Sequence, residues 1–235
     1  MIIEQQLSSK WGDYKINIHQ DCLPDLLTLI RLAKSYGFSP RIISAYRSYD
    51  HQLRIWNDKL LSKRACMDFL GNTILNTQSF TIEEKIFSIA RWSSFPGFSR
   101  HHWGTDIDII DENSFPKLSD CQLIPQESYP NQPNYRFHHW LYYQLKEINP
   151  YLEITFPYFN GDFTFSPDNP TPGTMVGPEA WHLSFHHVSK NFEKHSLSKE
   201  YWEKQVAHYF QKGIFSYSVK IISEQLYNFY TSSCL

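Results

Sequence analysis

Two short segments hold side chains whose types and spacing suit metal chemistry. The first is Ser99-Arg100-His101-His102-Trp103-Gly104-Thr105-Asp106-Ile107-Asp108. His101 precedes a glycine, and Asp108 follows it on a stretch that alternates polar and apolar residues. Gly104 lets the chain fold back, so a loop and a strand can offer two ligands to one ion. The second is Pro178-Glu179-Ala180-Trp181-His182. His182 supplies a third ligand, and Glu179, three residues earlier, can reach a water beside the metal. Imidazole and carboxylate suit zinc, which takes nitrogen and oxygen ligands at ~2.0–2.2 Å. Three protein ligands with an open fourth position describe a catalytic zinc rather than a structural one. His102 competes with His101 for the first position. A third segment, Ser44-Ala45-Tyr46-Arg47-Ser48-Tyr49-Asp50-His51-Gln52, ends a strand at an arginine and begins a helix.

The elements around these segments follow from periodicity. Pro24 to Tyr36 has apolar residues at helical spacing and stops at Gly37. Arg41 to Tyr46 reads as a short strand, and Tyr49 to Leu61 returns to helical period. Thr81 and Glu84 form a capping box, so a helix runs from Ile82 to Trp92 and ends ahead of the Pro96-Gly97 turn. Thr105 to Ile110 is a strand with Asp106 and Asp108 on one face and Ile107 and Ile109 on the other. Asn113 to Asn134 reads as an excursion over the surface. Tyr135 to Ile148 is an aromatic helix, Asn160 to Pro178 a long loop, and Leu183, Phe185 and Val188 a further strand. Two helical patterns, parted near Gly213, fill Ser198 to the end. The expectation is α+β: a small antiparallel sheet carrying the metal ligands, flanked by helices, with a C-terminal helical extension. It is a single domain over 1–235, with its core at about 24–190 and the extension at about 198–235.

Composition narrows the function classes. The chain has 235 residues, 41% hydrophobic, 20% charged and 17% aromatic, an ordinary globular balance rich in rings. Its formal net charge is −2 with scattered lysines and arginines, which excludes a nucleic-acid binder relying on phosphate neutralisation. No transmembrane segment is expected, since Leu23 to Ala33 is broken by Pro24, Asp25, Thr28 and Arg31. Cys22, Cys66, Cys121 and Cys234 are far apart and read as free, mostly buried thiols.

The three segments together resemble the zinc D-alanyl-D-alanine carboxypeptidases and their dipeptidase and L,D-carboxypeptidase relatives. That family carries S-x-H-x-x-G-x-A-x-D followed by E-x-W-H, matched here at Ser99, His101, Gly104, Asp108, Glu179, Trp181 and His182. Its upstream S-[GA]-Y-R-S-x-x-x-Q is matched by Ser44 to Gln52. The resemblance covers roughly residues 40 to 190, and the tail after Ser198 resembles that of a VanY-like branch. It implies the sheet-and-helix fold shared with lysostaphin-type peptidases and the hedgehog domain. It also implies one zinc ion on His101, Asp108 and His182, the family register favouring His101 over His102.

By the same resemblance, Glu179 is the catalytic base and Arg47 the partner of a substrate carboxylate or oxyanion. Ser99 and Gln52 would donate hydrogen bonds to the peptide, and Trp181 would line the cleft. The implied substrate is a peptidoglycan stem peptide or its precursor, shortened by its terminal D-alanine. L,D-carboxypeptidase, cell-wall endopeptidase and non-catalytic zinc-binding domain are the alternatives. The absence of a signal peptide points to the cytoplasm; the implied substrate points to the periplasm or cell surface, with an export signal removed. One position departs from the pattern: Asp106 stands where the family usually has alanine.

Overall fold

The computed structural model describes residues 1–68, 70–74, 80–164, 176–196, 198–213 and 216–231. Its elements in chain order are β1 (Ile2–Leu7), β2 (Tyr14–His19), α1 (Leu23–Ser35), β3 (Pro40–Ser44), α2 (Tyr49–Leu60), β4 (Cys66–Met67), β5 (Thr73–Ile74), α3 (Ile82–Trp92), β6 (Asp106–Asp111), α4 (Tyr135–His139), α5 (Leu145–Ile148), β7 (Ile154–Thr155), β8 (His182–Phe185), α6 (His186–Ser196), α7 (Lys199–Lys212), α8 (Ser216–Ile221) and α9 (Ser223–Thr231). Helices and small antiparallel sheets make it α+β, as expected. The chain forms two compact units. One comprises Met1–Tyr46, Trp103–Phe165 and Pro178–Asn191, the other Arg47–His102, Ser166–Gly177 and Phe192–Leu235.

The first unit is built on a four-stranded sheet of order β3-β6-β8-β7. Every residue of β6 is buried, so this central strand carries its isoleucines and its aspartates alike out of water. A buried carboxylate is stable only with hydrogen-bond or charge partners, and the sheet supplies them. Asp108 stands opposite Ser44 on one side and His182 on the other, Asp106 stands opposite Ser184, and the His182 ring reaches both carboxylates. α1 buries Leu26, Leu29 and Ala33 along one face. It ends at Gly37, at a φ of 85°, where Phe38 N–H reaches the Ala33 carbonyl and Gly37 N–H the Lys34 carbonyl. That double closure needs the left-handed conformation glycine adopts freely. The β1–β2 hairpin, which periodicity alone did not single out, buries Ile16 and Ile18 in this unit.

The structure corrects one expectation and refines two others. The strand ending β8 stops at Phe185, and Val188 lies in α6, because the helical face from His186 onward continues without a break. The aromatic helix spans Tyr135 to Ile148 as expected, with a π-helical stretch over Trp140–Gln144 between α4 and α5. The Asn113 to Asn134 segment runs largely over the surface, as expected, but the buried Glu127, Ser128 and Asn134 anchor it. The Glu127 carboxylate accepts from the N–H groups of Gln122 and Leu123, and Asn134 Oδ1 accepts from Asp111 N–H. The segment is therefore stitched to the central strand. Of the loop expected from Asn160 to Pro178, residues 165–175 lie outside the described residues.

The second unit is an aromatic-rich helical core. α2 starts at a Ser48 cap and α3 at the expected capping box, in which the Thr81 and Glu84 side chains each bond the other's N–H. Phe95 lies 5.1 Å from Trp56, 5.1 Å from Trp202 and 4.9 Å from Tyr209, ring centre to ring centre. Phe98 packs edge-on to Trp202 at 5.0 Å and meets Tyr230 at 5.7 Å. The C-terminal helices α7 and α9 thus complete the core that α2 and α3 begin. Cys22 and Cys66 are buried free thiols, and Cys121 is a half-buried one; Cys234 lies outside the described residues.

Candidate metal centre

β6 and β8 place two of the expected site residues, Asp108 and His182, in register, with Asp106 beside them. Asp106 and Asp108 are two residues apart on one strand, so both carboxylates leave the same face, and His182 on β8 stands between them. His182 Nδ1 lies 3.2 Å from Asp108 Oδ1, and His182 Nε2 lies 3.1 Å from Asp106 Oδ1. Glu179 joins them through a tight turn in which His182 N–H donates to the Glu179 carbonyl at 3.1 Å. The Glu179 carboxylate then sits 3.5 Å from His182 Nδ1, on the same side of the ring as Asp108. Tyr158, which the sequence reading did not single out, packs its ring 4.9 Å from that of His182. Its carbonyl accepts the Glu179 N–H. No motif marks Tyr158, because its role is contact made through the fold.

The electrostatics favour a cation. Burial opposes protonation of His182, yet the hydrogen bonds and charges of Asp106 and Asp108 outweigh it and carry the imidazole up to about 9. The cluster thus stabilises positive charge at the ring even against desolvation. Two ligands ~2.0–2.1 Å from one tetrahedral ion stand about 3.3 Å apart, close to the Nδ1–Asp108 separation. His101, Asp108 and His182 each offer a ligand atom, and those atoms lie within 4.8 Å of one another. The donor set of two imidazoles and a carboxylate fits zinc.

The D-alanyl-D-alanine carboxypeptidase (VanY) family profile matches residues 15–188. This chain belongs to that family. The family region begins in β2, well before the motif-bearing stretch from about residue 40. An uncharacterised protein of Haemophilus influenzae is 34% identical over 87 residues, 37% of this chain. The chain spans only 56% of that curated relative's length. Among solved structures, VanYB in complex with D-alanine-D-alanine is similar at 17% identity and a TM-score of 0.47, covering 81% of this chain and 83% of its own. A VanY D,D-pentapeptidase mutant from a VanB-type resistance cassette, in complex with Zn(II), is 18% identical with a TM-score of 0.48, covering 84% and 88%. The LdcB LD-carboxypeptidase is 20% identical with a TM-score of 0.49, covering 86% and 77%. At those scores the structural likeness carries no argument about individual residues.

The rest of the family motif lies in the second unit. Arg47 N–H donates to the His101 carbonyl at 3.0 Å, tying the two motif segments together. His102 has both ring nitrogens engaged: Nδ1 with the Arg47 carbonyl, and Nε2 accepting from Gly97 N–H at 3.0 Å. Burial first, then the charges of Arg47 and His101, hold its imidazole down at about 4. A neutral ring with both nitrogens bonded has no lone pair to give a metal, so His102 is a brace between the Arg47 and Gly97 backbones. The Arg47 guanidinium donates to Gln52 Oε1 at 2.8 Å, and Gln52 Nε2 donates to the Ser94 carbonyl at 2.6 Å.

The three residues expected to contact substrate are all buried. Gln52 is fully buried, with its amide engaged at both ends, so its action runs through Arg47. Ser99 is buried, and its carbonyl accepts His102 N–H to close the turn. Trp181 is a core side chain at 4% exposure, and its carbonyl extends the ladder by accepting Ile109 N–H.

Proposed function

We propose that this chain is a zinc peptidase that releases the terminal D-alanine from peptidoglycan stem peptides or their precursors. The observation that carries the reading is the cluster of ligand atoms on His101, Asp108 and His182, with the Glu179 carboxylate beside one of them. Membership of the D-alanyl-D-alanine carboxypeptidase family supports the substrate class. Bound zinc supplies Lewis acidity, which polarises a carbonyl and brings the pKa of a water toward ~7.

The chain's own residues do the rest. Asp108 and His182 provide ligand atoms from neighbouring strands, and His101 provides one from the loop before β6. Glu179 takes the proton from the attacking water and delivers it to the leaving amine, a transfer its partly exposed carboxylate can make without unfolding the turn that holds it. Arg47, oriented by Gln52, supplies the cation that holds the terminal carboxylate of the substrate.

Zinc-loaded protein incubated with muramyl tripeptide, tetrapeptide and pentapeptide stems, analysed by mass spectrometry, tests this directly. The expected product is the pentapeptide shortened by one D-alanine. Release from the tetrapeptide would assign L,D-specificity, internal cleavage an endopeptidase, and no cleavage of any stem would overturn the assignment.

A further inference from the structure

Asp106 has no task in the mechanism above, yet it is fully buried beside the ligand His182. We propose that Asp106 is a positioning residue for the metal, holding His182 with its proton on Nε2 so that Nδ1 faces the ion. The proposal rests on zinc binding at His101, Asp108 and His182.

A neutral imidazole has one N–H and one lone pair, and only the lone pair can bind a metal. Which nitrogen keeps the proton is set by the partner of the other. Here the partners differ. Nδ1 faces Asp108, itself an offered ligand, and Glu179, whereas Nε2 faces Asp106 at 3.1 Å. A proton on Nε2 donates to Asp106 Oδ1 and leaves the Nδ1 lone pair on the side of Asp108.

The Asp106 carboxylate is itself fixed, because its other oxygen accepts from the Thr105 hydroxyl at 2.6 Å. Strand geometry makes the arrangement rigid. Asp106 and Asp108 lie on one strand, paired with Ser184 and His182 on the next, so the two carboxylates bracket a single ring. A charged acceptor behind a ligating imidazole also raises its basicity, which strengthens the metal bond. The alanine that the family pattern has at this position could do none of this. A buried carboxylate left without partners is strongly disfavoured, and the His182 N–H and Thr105 hydroxyl supply those partners.

The test is zinc affinity, measured by competition with a chromogenic chelator, for wild type, Asp106→Ala and Asp106→Asn. Asp106→Ala should bind zinc about 10- to 100-fold more weakly while its metal-free form melts as a folded protein. Asp106→Asn keeps an acceptor oxygen but not the charge, and should recover part of the loss. Affinities within twofold of wild type in the folded alanine variant would overturn the proposal. Should that variant not fold, histidine ¹⁵N spectra of zinc-loaded wild type decide: a proton on His182 Nε2 is expected, and a proton on Nδ1 overturns it. Wild type that binds no zinc would remove the metal reading and this inference together, whereas tight wild-type binding with unchanged variants would remove only the role of Asp106.

Discussion

Glu179 and His182 are coupled by the backbone itself: the turn from the Glu179 carbonyl to the His182 N–H puts the carboxylate 3.5 Å from the ring nitrogen that faces Asp108. If Glu179 is the base proposed above, a carboxylate so held needs no conformational change to work. Replacing Glu179 by alanine should lower turnover of stem peptides by roughly 10²- to 10⁴-fold, with zinc content unchanged by elemental analysis. Near-normal turnover in that variant would assign the base elsewhere.

The adjacent histidines should separate cleanly. His101→Ala removes a ligand atom, and the purified protein should lose stoichiometric zinc. His102→Ala removes two hydrogen bonds that brace the Arg47 and Gly97 backbones, at about 1–3 kcal/mol for each group left unsatisfied. It should lower the urea midpoint yet retain one zinc per chain. Loss of zinc in His102→Ala with retention in His101→Ala would reverse the assignment.

Gln52 acts on Arg47, so its removal should read as a binding defect. A hydrogen bond to a charged group contributes roughly 1.5–3 kcal/mol. Gln52→Ala should therefore raise KM by about tenfold or more while kcat changes less. Equal falls in kcat and kcat/KM would show that the contact matters only in the transition state.

His138 makes stability depend on acid. It is fully buried, with Nε2 against the Ile109 carbonyl and Nδ1 against the Ser128 hydroxyl. Burial holds it down at about 4, against 6.5 for an ordinary histidine. Between those values the unfolded chain binds the extra proton, so stability rises with pH through this window. The contribution is full above about pH 6.5 and is lost as pH falls toward 4, on the order of 3 kcal/mol in total. Urea unfolding of wild type and His138→Gln from pH 7 to pH 4 should show the steeper loss in wild type; parallel curves would contradict it.

The C-terminal helices should prove essential to the second unit. Trp202 is buried against Phe95 and Phe98. Trp202→Ala should cost about 3–5 kcal/mol, measurable as a shift in the urea midpoint. A loss under 1 kcal/mol would mean that the tail is an appendage.

Elements whose signals are local were legible in the chain. Helices α1, α2 and α3 fall within a residue or two of their expected ends because caps and apolar spacing act over a single turn. The strand bearing Asp106 and Asp108 was legible for the same reason, through its alternation. The β1–β2 hairpin was not, since its residues show only half-buried alternation around a loop without a marked turn pair. The buried anchor residues of the 113–134 segment escaped as well. Its proline and asparagine composition reads as solvent-facing, whereas Glu127 accepts from two of its own N–H groups and Asn134 accepts from Asp111 N–H of β6.

The sequence by itself determined the kind of site: two imidazoles and a carboxylate at motif spacing, with a glutamate three residues before the last ligand. Residue type and short spacing carry that information, because a ligand's chemistry and its immediate turn are local. Tertiary structure alone decided which groups surround each ring nitrogen. Asp106 and His182 stand far apart in the chain and meet only because β6 and β8 pair antiparallel. A hydrogen bond's direction depends on where both partners lie, and pairing between distant strands is what places them.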